Sequence, residues 1–239
     1  MANFAKASGI LVIGSLLAIG ASWSKISSTL EYAKDTMRGE PILENKGEPQ
    51  SSSETDGLEF GYAMQWSNGY SDIVAGVIPG FVGGSSGEPA VKGGAFAKFL
   101  RGQKNPKAPY YWGSLPFTSG PAYFGASIIF FFILGLFLIK GKMKWWLVAG
   151  VILTILLSFG KNFEPLNRLL FDFLPLFNSF RAPSSVLSVT AVLFPILGFM
   201  GVTKLMSGEL EESKASMAVL LSGGTVSYTH LTLPTIYSV

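Results

Sequence analysis

The chain contains no cysteine and a single histidine, His230. The lack of cysteine excludes both a disulfide framework and a zinc site built on thiolates. Charged residues are scarce too: they make up 14% of the 239 residues, whereas an average soluble domain carries roughly 25%. The net charge of +3 is scattered through loops and forms no basic face, so no nucleic-acid partner is expected. With 49% hydrophobic residues, the composition is typical of a membrane protein.

Uncharged intervals locate the predicted membrane spans, because a helix needs about 20 apolar residues to cross the hydrocarbon core. The four longest useful intervals hold 18, 19, 16 and 22 residues in chain order. They predict transmembrane helices at residues 1–24, 121–139, 145–160 and 182–203, and residues 215–224 as the truncated start of a fifth. The sequence therefore predicts an all-α polytopic membrane protein with about four transmembrane helices and a long external loop.

The short loops predict the orientation of these spans. Lys140, Lys142 and Lys144 lie between the second and third spans, and positive charges in short loops favour the cytoplasmic side. Residues 25–120 and 161–181 are then external. For residues 1–24 a cleaved signal peptide is the alternative, since small residues near its end fit a cleavage site.

Residues 225–239 differ from the rest of the chain, because they end the last apolar run with a polar segment. Val226 to Thr235 back-translates into codons that resemble a transposon mosaic end and its adapter, as used in shotgun sequencing. We interpret residues 225–239 as adapter-derived, which would leave the genuine chain without histidine. A natural C-terminal tail is the alternative.

Both predicted external loops carry elements suited to a membrane surface. Ser71–Ile78 predicts a short helix capped by Ser71 or Asp72. An aromatic collar at residues 110–113 would anchor the next span. Five cations form a basic stretch that either contacts lipid headgroups or is solvated; they are Lys92, Lys98, Arg101, Lys104 and Lys107.

The second external loop predicts an amphipathic helix, because its apolar residues at 166, 169, 170, 173 and 174 repeat with helical spacing. Such a helix would lie along the outer interface with Asp172 on its polar face. Arg181 follows at the start of the fourth span. An arginine there can clamp a phosphate through its planar guanidinium, or it can snorkel to headgroups.

Three groups of residues, taken in order, resemble the YfhO family of bacterial membrane proteins in its Bacteroidetes form. The groups are Gln65-Trp66-Ser67 with residues 78–84, residues 111–113 with 116–120, and residues 156–162 with Phe180-Arg181-Ala182-Pro183. The resemblance covers most of residues 1–222. It implies a longer, multi-pass protein of the cytoplasmic membrane, related to the GT-C class of glycosyltransferases, of which this chain is a fragment.

The resemblance implies transfer of a sugar from a polyprenyl-phosphate donor in cell-envelope glycosylation, with the catalytic loop missing from this fragment. Cations would then bind the lipid phosphate, and Arg181, Lys161 and Arg38 are the candidates. Asp72 and Asp172 are the candidate carboxylates of the site. The alternatives are structural: Asp72 as a helix cap, and Asp172 as part of the polar face of an interfacial helix. The expected partners are membrane lipids and the polyprenyl-phosphate sugar donor, with no cofactor. A non-enzymatic transporter or flippase component for lipid-linked sugars is the alternative.

Overall fold

The structure, a computed structural model, describes residues 2–34, 58–90, 94, 98–99 and 106–232. The chain divides into two compact units. The first comprises Met1–Glu59 and Pro175–Ser179, and the second comprises Phe60–Leu174 and Phe180–Val239. Arg38, one of the candidate phosphate contacts, lies outside the described residues, and so do Lys92, Arg101 and Lys104 of the basic stretch.

The described residues of the first unit form two helices and one short turn. Helix α1 spans Ala2–Ala21 and helix α2 spans Trp23–Lys34, with a bend of 66° between their axes. The large apolar side chains of α1 between Ile10 and Ile19 are exposed. The unit also includes a 3-10 turn at Phe177–Ser179 and a hydrogen bond from the Leu58 N–H to the Asn178 carbonyl.

The second unit is mostly helical. Its described helices are α3 (Phe60–Ala63), α4 (Tyr70–Val77), α5 (Ala126–Leu138), α6 (Lys142–Ser158), α7 (Glu164–Phe173), α8 (Leu187–Met206) and α9 (Glu212–Ser227). Short 3-10 turns at Gly160–Phe163 and Pro183–Val186 precede α7 and α8. A π-helical turn at Tyr228–Thr232 follows α9.

Glycines allow α5 and α8 to pack backbone against backbone. A Cβ on Gly201 would lie 2.7 Å from the Gly135 Cα, and a Cβ on Gly198 would lie 2.9 Å from the Phe131 Cβ. Next to this contact the rings of Phe132 and Phe194 stack with centroids 4.1 Å apart. Small residues that let helix backbones approach closely are typical of helix pairs in membranes.

Two further contacts complete the helical packing. Between α6 and α8, the buried hydroxyls of Thr154 and Thr190 lie 2.7 Å apart and share a hydrogen bond. Helix α9 packs on α5 through Ala218, which is buried with Leu134 and Leu138. In contrast, the opposite faces of α6 and α8 expose large apolar side chains, including Trp146, Ile152 and Phe199. Exposed apolar faces on otherwise packed helices are typical of lipid-facing surfaces.

An irregular antiparallel ribbon lies between α4 and α5. Strands β1 (Glu88–Pro89) and β2 (Lys107–Ala108) pair in it. The pairing continues with a bridge between Gly83 and Tyr111 and with a hydrogen bond from the Trp112 N–H to the Val82 carbonyl. This ribbon, residues 82–90 and 106–112, was not predicted from the sequence, because its strands are too short to show an alternating pattern.

The number of candidate membrane spans is one to three. Among the described residues, Pro183–Met206 alone is long and apolar enough to cross a membrane as a single helix. Two bent pairs reach that length if each is one span: Ala5–Ala21 with Trp23–Tyr32, and Lys142–Ser158 with Gly160–Phe173. The structure thus supports a mostly helical chain with candidate membrane helices, and fewer by this measure than the four predicted.

The largest difference from the predicted spans concerns residues 121–139. Only Ala126–Leu138 is helical, a length of 13 residues. The preceding segment is held to α4 by a hydrogen bond from the Phe124 N–H to the Gly76 carbonyl, and Gly125 has φ +94°. The helix therefore begins only after Gly125, because the hydrogen bond to Gly76 keeps the preceding residues outside the helix.

At the other end of the chain, the predicted helix at 215–224 is longer in the structure. Helix α9 extends through Ser227 and therefore includes the first residues of the segment that we interpret as adapter-derived. Helical backbone there has no bearing on the origin of the segment, since α-helical hydrogen bonds are local and require no particular sequence.

Candidate functional site

Three distant segments meet at the start of α8, and all three carry residues that the sequence analysis singled out. The Ala182 N–H donates to the Ala63 carbonyl, and the Ser184 N–H donates to the Trp66 carbonyl, each at 3.1 Å. The Asn68 N–H donates to the Ser158 carbonyl at the end of α6. Residues 62–68, 158–163 and 180–184 thus form one cluster, which we call the arginine cluster.

Arg181 lies in this cluster, and residues 62–66 hold its guanidinium. Its Nη1 donates to the Tyr62 hydroxyl at 2.8 Å, and its Nη2 donates to the Gln65 Oε1 at 2.9 Å. The guanidinium carbon lies 4.2 Å from the ring centroid of Tyr62 and 4.3 Å from that of Trp66. Contact with aromatic rings stabilises a guanidinium and restricts its rotamers, so the cation is pre-organised.

Lys161 is fixed in the same cluster through its backbone. Its N–H donates to the Ser67 Oγ at 2.9 Å, and the Ser67 hydroxyl donates in turn to the Met64 carbonyl at 2.6 Å. The neighbouring Asn162 donates from its Nδ2 to the Asn68 carbonyl. The Lys161 side chain itself is exposed. Its ammonium group therefore extends from a rigid backbone position beside the segment that holds Arg181.

Gly160 is required for this arrangement. It has φ +47°, and a Cβ there would overlap the Ser67 Oγ and lie 2.6 Å from the Pro183 Cγ. We expect Gly160→Ala to lower the free energy of unfolding by about 2 kcal/mol or more, from left-handed strain together with overlap in a packed site. Chemical unfolding of the purified chain followed by circular dichroism measures this change.

Gly208→Ala is the matched control for that substitution. Gly208 also has a positive φ, +68°, but a Cβ there meets nothing within 4 Å. It should therefore show the cost of backbone strain alone. Equal destabilisation by the two substitutions would contradict the close packing of Gly160 against Ser67.

The two cations of the cluster have no acidic partner among the residues that the structure describes. Ion pairs in this part of the chain join Arg168 to Asp172 at 3.4 Å, Lys204 to Glu209, and Lys214 to Glu211. The Arg181 Nε is also buried without a hydrogen-bond partner in the described structure. Two cations without acidic partners, one of them a guanidinium held against two aromatic rings, suit an anionic ligand with several acceptor oxygens.

In the described structure, neither candidate carboxylate is paired with Arg181 or Lys161. Asp172 is exposed on α7 and pairs with Arg168, one turn earlier on the same helix. Asp72 is buried, 3% exposed, in the first turn of α4. Gly69 is the N-cap residue of α4, and Asp72 accepts its N–H at 2.7 Å, so neither Ser71 nor Asp72 occupies the predicted cap position.

Asp72 also links α4 to the ribbon. One of its oxygens accepts the Tyr111 hydroxyl proton at 2.6 Å, and the other accepts the Ser114 N–H at 3.1 Å. Burial, and next this hydrogen bond to Asp72, raise the pKa of the Tyr111 hydroxyl above its usual range. These contacts explain Asp72 as a structural group that anchors the ribbon.

No family model matches this chain, and no curated protein and no solved structure matches it either. Among the described residues no cluster of histidine and carboxylate side chains could hold a metal ion. Arg181 and Lys161 give the cluster two positive charges, which suit an anionic ligand.

One segment has the spacing of a catalytic motif without its geometry. Residues 83–87 read Gly-Gly-Ser-Ser-Gly, which matches the G-x-S-x-G pattern of a nucleophile elbow. An elbow joins a strand to a helix, whereas this segment is a turn that leads into β1. The Ser85 hydroxyl accepts the Gly87 N–H at 3.1 Å, and this contact stabilises the turn.

The contacts of Tyr62, Gln65 and Trp66 with Arg181 were not predicted from the sequence. Tyr62 and Gln65 interact with it across 119 and 116 residues of sequence. The available signal was the spacing of Tyr62, Gln65 and Trp66, because positions three and four residues apart share a face of one helical turn. That spacing indicates a common surface but cannot identify the group that binds it.

Proposed function

We propose that this chain is part of a membrane glycosyltransferase that takes its sugar from a polyprenyl-phosphate donor. In this proposal Arg181 and Lys161 bind the phosphate of the donor. The observation that carries the proposal is that Arg181 and Lys161 have no acidic partner in the described structure, while residues 62–68 hold both the Arg181 guanidinium and the Lys161 backbone. Arg181 lies just before the long apolar helix Pro183–Met206. The resemblance to the YfhO family supports the same activity.

The turn after α6 supports a position at the level of lipid phosphates. Lys142–Ser158 and Gly160–Phe173 bend by 115° with respect to each other, so α7 runs nearly perpendicular to α6. If α6 crosses the membrane, α7 lies along its surface. The exposed apolar residues Leu169 and Phe173, one turn apart on α7, then face the bilayer.

The chemistry of the transfer gives each cation a role. When the donor loses its sugar, negative charge develops on the lipid phosphate, and fixed cations stabilise that charge without reorganising. Arg181 presents a planar fork with N–H groups beyond the two that bind Tyr62 and Gln65. Lys161 adds an exposed point charge. The general base for the acceptor is expected outside this cluster, because the oxygens of Asp72 are bound within the chain.

Binding of a polyprenyl phosphate to the chain in phosphatidylcholine nanodiscs tests the proposal. Arg181→Ala and Lys161→Ala should each weaken binding by about 10- to 100-fold, as expected for the loss of a charge-assisted hydrogen bond. Arg181→Lys should recover part of the loss, since it keeps the charge but not the planar fork. Circular dichroism shows whether each variant remains folded.

Arg168→Ala is the matched control, because Arg168 is also an arginine over an aromatic ring, that of Phe60, but is already paired with Asp172. It should bind the lipid phosphate as the unmodified chain does. Equal losses for Arg168→Ala and Arg181→Ala would indicate general attraction of an anionic lipid to a cationic surface and would contradict a specific site. So would unchanged binding by both cluster variants.

A second assay distinguishes the transferase from the transporter or flippase alternative. In vesicles with a polyprenyl-phosphate sugar, a transferase moves the sugar to an acceptor, whereas a flippase moves the intact lipid between leaflets. We expect the full-length protein to transfer the sugar and to lose this activity with Arg181→Ala. Movement of intact lipid without transfer would favour the alternative.

A further inference from the structure

The ribbon carries a concave surface, and none of the residues that line it belongs to the arginine cluster. This cleft has a volume of about 410 Å³, within the range of roughly 300–1,000 Å³ that is usual for small-molecule sites. It is lined by Gly80, Phe81, Gly83, Gly84, Glu88, Tyr110 and Trp112. We call it the ribbon cleft.

The alternation of side chains along residues 110–112 builds one wall of the ribbon cleft. Successive side chains of an extended strand point to opposite faces. Tyr111 points inward, where its hydroxyl binds Asp72, so Tyr110 and Trp112 share the outer face. Trp112 is 77% exposed, so its ring is open to a ligand or to another surface.

The backbone holds these aromatic residues in fixed positions. The Gly84 N–H donates to the Tyr110 carbonyl at 2.9 Å, and the Tyr110 N–H donates to the Ser85 carbonyl at 3.0 Å. Gly83 has φ +78°, and a Cβ there would overlap the Tyr110 carbonyl oxygen and lie 2.8 Å from the Trp112 Cδ1. Glycine therefore lets the backbone approach the indole closely. The cleft is formed before any ligand binds.

Glu88 gives the ribbon cleft a polar group. Its Oε1 accepts the Ser85 N–H at 2.9 Å, which fixes the carboxylate. In the part of the chain that the structure describes, the Glu88 Oε2 and the Trp112 indole N–H have no hydrogen-bond partner. An acceptor and a donor are thus available beside flat aromatic faces.

We propose that the ribbon cleft binds a sugar ring. A pyranose has an apolar C–H face that packs on an aromatic ring, and hydroxyl groups at its edge that bind a carboxylate and an N–H. Trp112 and Phe81 supply the rings, and Glu88 supplies the carboxylate. The inference rests on the proposed function, for which it names a saccharide-binding subsite that lies outside the phosphate-binding residues.

The other occupant to consider is the membrane interface, because exposed tryptophan is also typical of an aromatic belt. Glu88 favours the sugar. A carboxylate beside Trp112 would face anionic lipid headgroups, and this contact would be repulsive. A saccharide instead uses the carboxylate as a hydrogen-bond acceptor.

Saturation-transfer NMR on the full chain tests the inference. The chain is placed in phosphatidylcholine nanodiscs, because detergents with sugar headgroups would occupy the ribbon cleft. Methyl glucoside, methyl galactoside, methyl mannoside and N-acetylglucosamine are the probes. We expect at least one of them to show saturation of its ring C–H protons. Trp112→Ala and Glu88→Gln should each weaken its binding by about tenfold or more, whereas Trp112→Phe should retain most of it.

Phe99→Ala is the matched control, since Phe99 is a highly exposed aromatic residue of the same loop that does not line the ribbon cleft. It should bind the sugar normally. Arg181→Ala should also bind it, so loss of phosphate binding and loss of sugar binding can be told apart.

Three outcomes would overturn the inference: no saturation of any probe, unchanged binding by Glu88→Gln, or strong quenching of Trp112 fluorescence by spin-labelled lipids. The last outcome is read in a chain that keeps tryptophan at position 112 alone, with phenylalanine at the other four positions. If Trp112→Ala does not fold, Glu88→Gln and Trp112→Phe decide.

Discussion

Asp72→Ala should lower the free energy of unfolding of the second unit by about 3 kcal/mol or more, the largest change that we expect from one polar substitution. The carboxylate is buried and accepts three donors: the Gly69 N–H, the Ser114 N–H and the Tyr111 hydroxyl. Removing it leaves all three without a partner, and each unsatisfied donor costs about 1–3 kcal/mol. Chemical unfolding of the chain in detergent micelles measures the loss.

A double-mutant cycle with Tyr111→Phe isolates the bond between helix α4 and the ribbon. Tyr111→Phe alone should cost about 1–2 kcal/mol, and the two substitutions together should cost less than their sum, because they remove the same hydrogen bond. Asp172→Ala is the control, since that carboxylate is exposed and forms only a surface ion pair. Additive effects of Asp72→Ala and Tyr111→Phe would contradict the contact.

The burial of Tyr111 and its hydrogen bond to Asp72 should also make the free energy of unfolding depend on pH. Burial, and then the hydrogen bond to Asp72, raise the pKa of Tyr111 in the folded chain above its unfolded value of about 10. The unfolded chain therefore loses this proton first. The contribution to stability is complete below pH 10 and falls as the pH rises toward the folded pKa. Tyr111→Phe should reduce this loss, and an identical alkaline decline in the variant would contradict it.

Gly201→Leu should abolish the contact between α5 and α8 and leave the second unit without a cooperative unfolding transition. A Cβ at position 201 already lies 2.7 Å from the Gly135 Cα and 2.8 Å from the Gly135 N, which are backbone atoms that cannot rotate away. Gly201→Ala should cost about 1–3 kcal/mol through the same overlap. Unfolding in a mixed-detergent titration, followed by circular dichroism, measures both variants.

The chain has no cysteine, so an introduced cysteine pair gives a second readout. Cysteines placed at Phe132 and Phe194, whose rings stack at 4.1 Å, should react with a short bifunctional thiol reagent. Gly201→Leu should prevent that cross-link. Gly14→Leu is the control, because a Cβ on Gly14 meets nothing within 4 Å. Normal unfolding and cross-linking in Gly201→Leu would show that the helices are not packed through this glycine.

Helical segments were predictable because their signal is local. The uncharged interval at 182–203 predicts a long apolar helix, and Pro183–Met206 is one. The spacing of apolar residues from 166 to 174 likewise predicts a helix there, and α7 spans Glu164–Phe173. Helix boundaries were less predictable: the interval 121–139 starts with residues held by Gly76, a contact that no local pattern contains.

The sequence singled out Arg181 and Lys161 but not the contacts that bring them into one cluster. Arg181 was singled out because an arginine at a membrane boundary suits a phosphate, and Lys161 because the resemblance implies a lipid-phosphate donor. Their shared anchor, residues 62–68, was not predicted, since nothing in a sequence relates Arg181 to a tyrosine 119 residues away. Trp112 was predicted as part of an interfacial collar, and its place beside Glu88 appears only once residues 82–90 and 106–112 pair.

By itself, then, the sequence determined that this chain is rich in apolar helices and where most of them lie. The reason is that the length of an uncharged interval is a local property of the chain. Tertiary structure alone decided the glycine contact between α5 and α8, the links from Asp72 to Tyr111 and from Arg181 to Tyr62, and the formation of the ribbon cleft. The physical reason is that close packing and hydrogen bonds between distant segments depend on how the whole chain folds. The order of residue types along the chain does not show which distant segments come into contact.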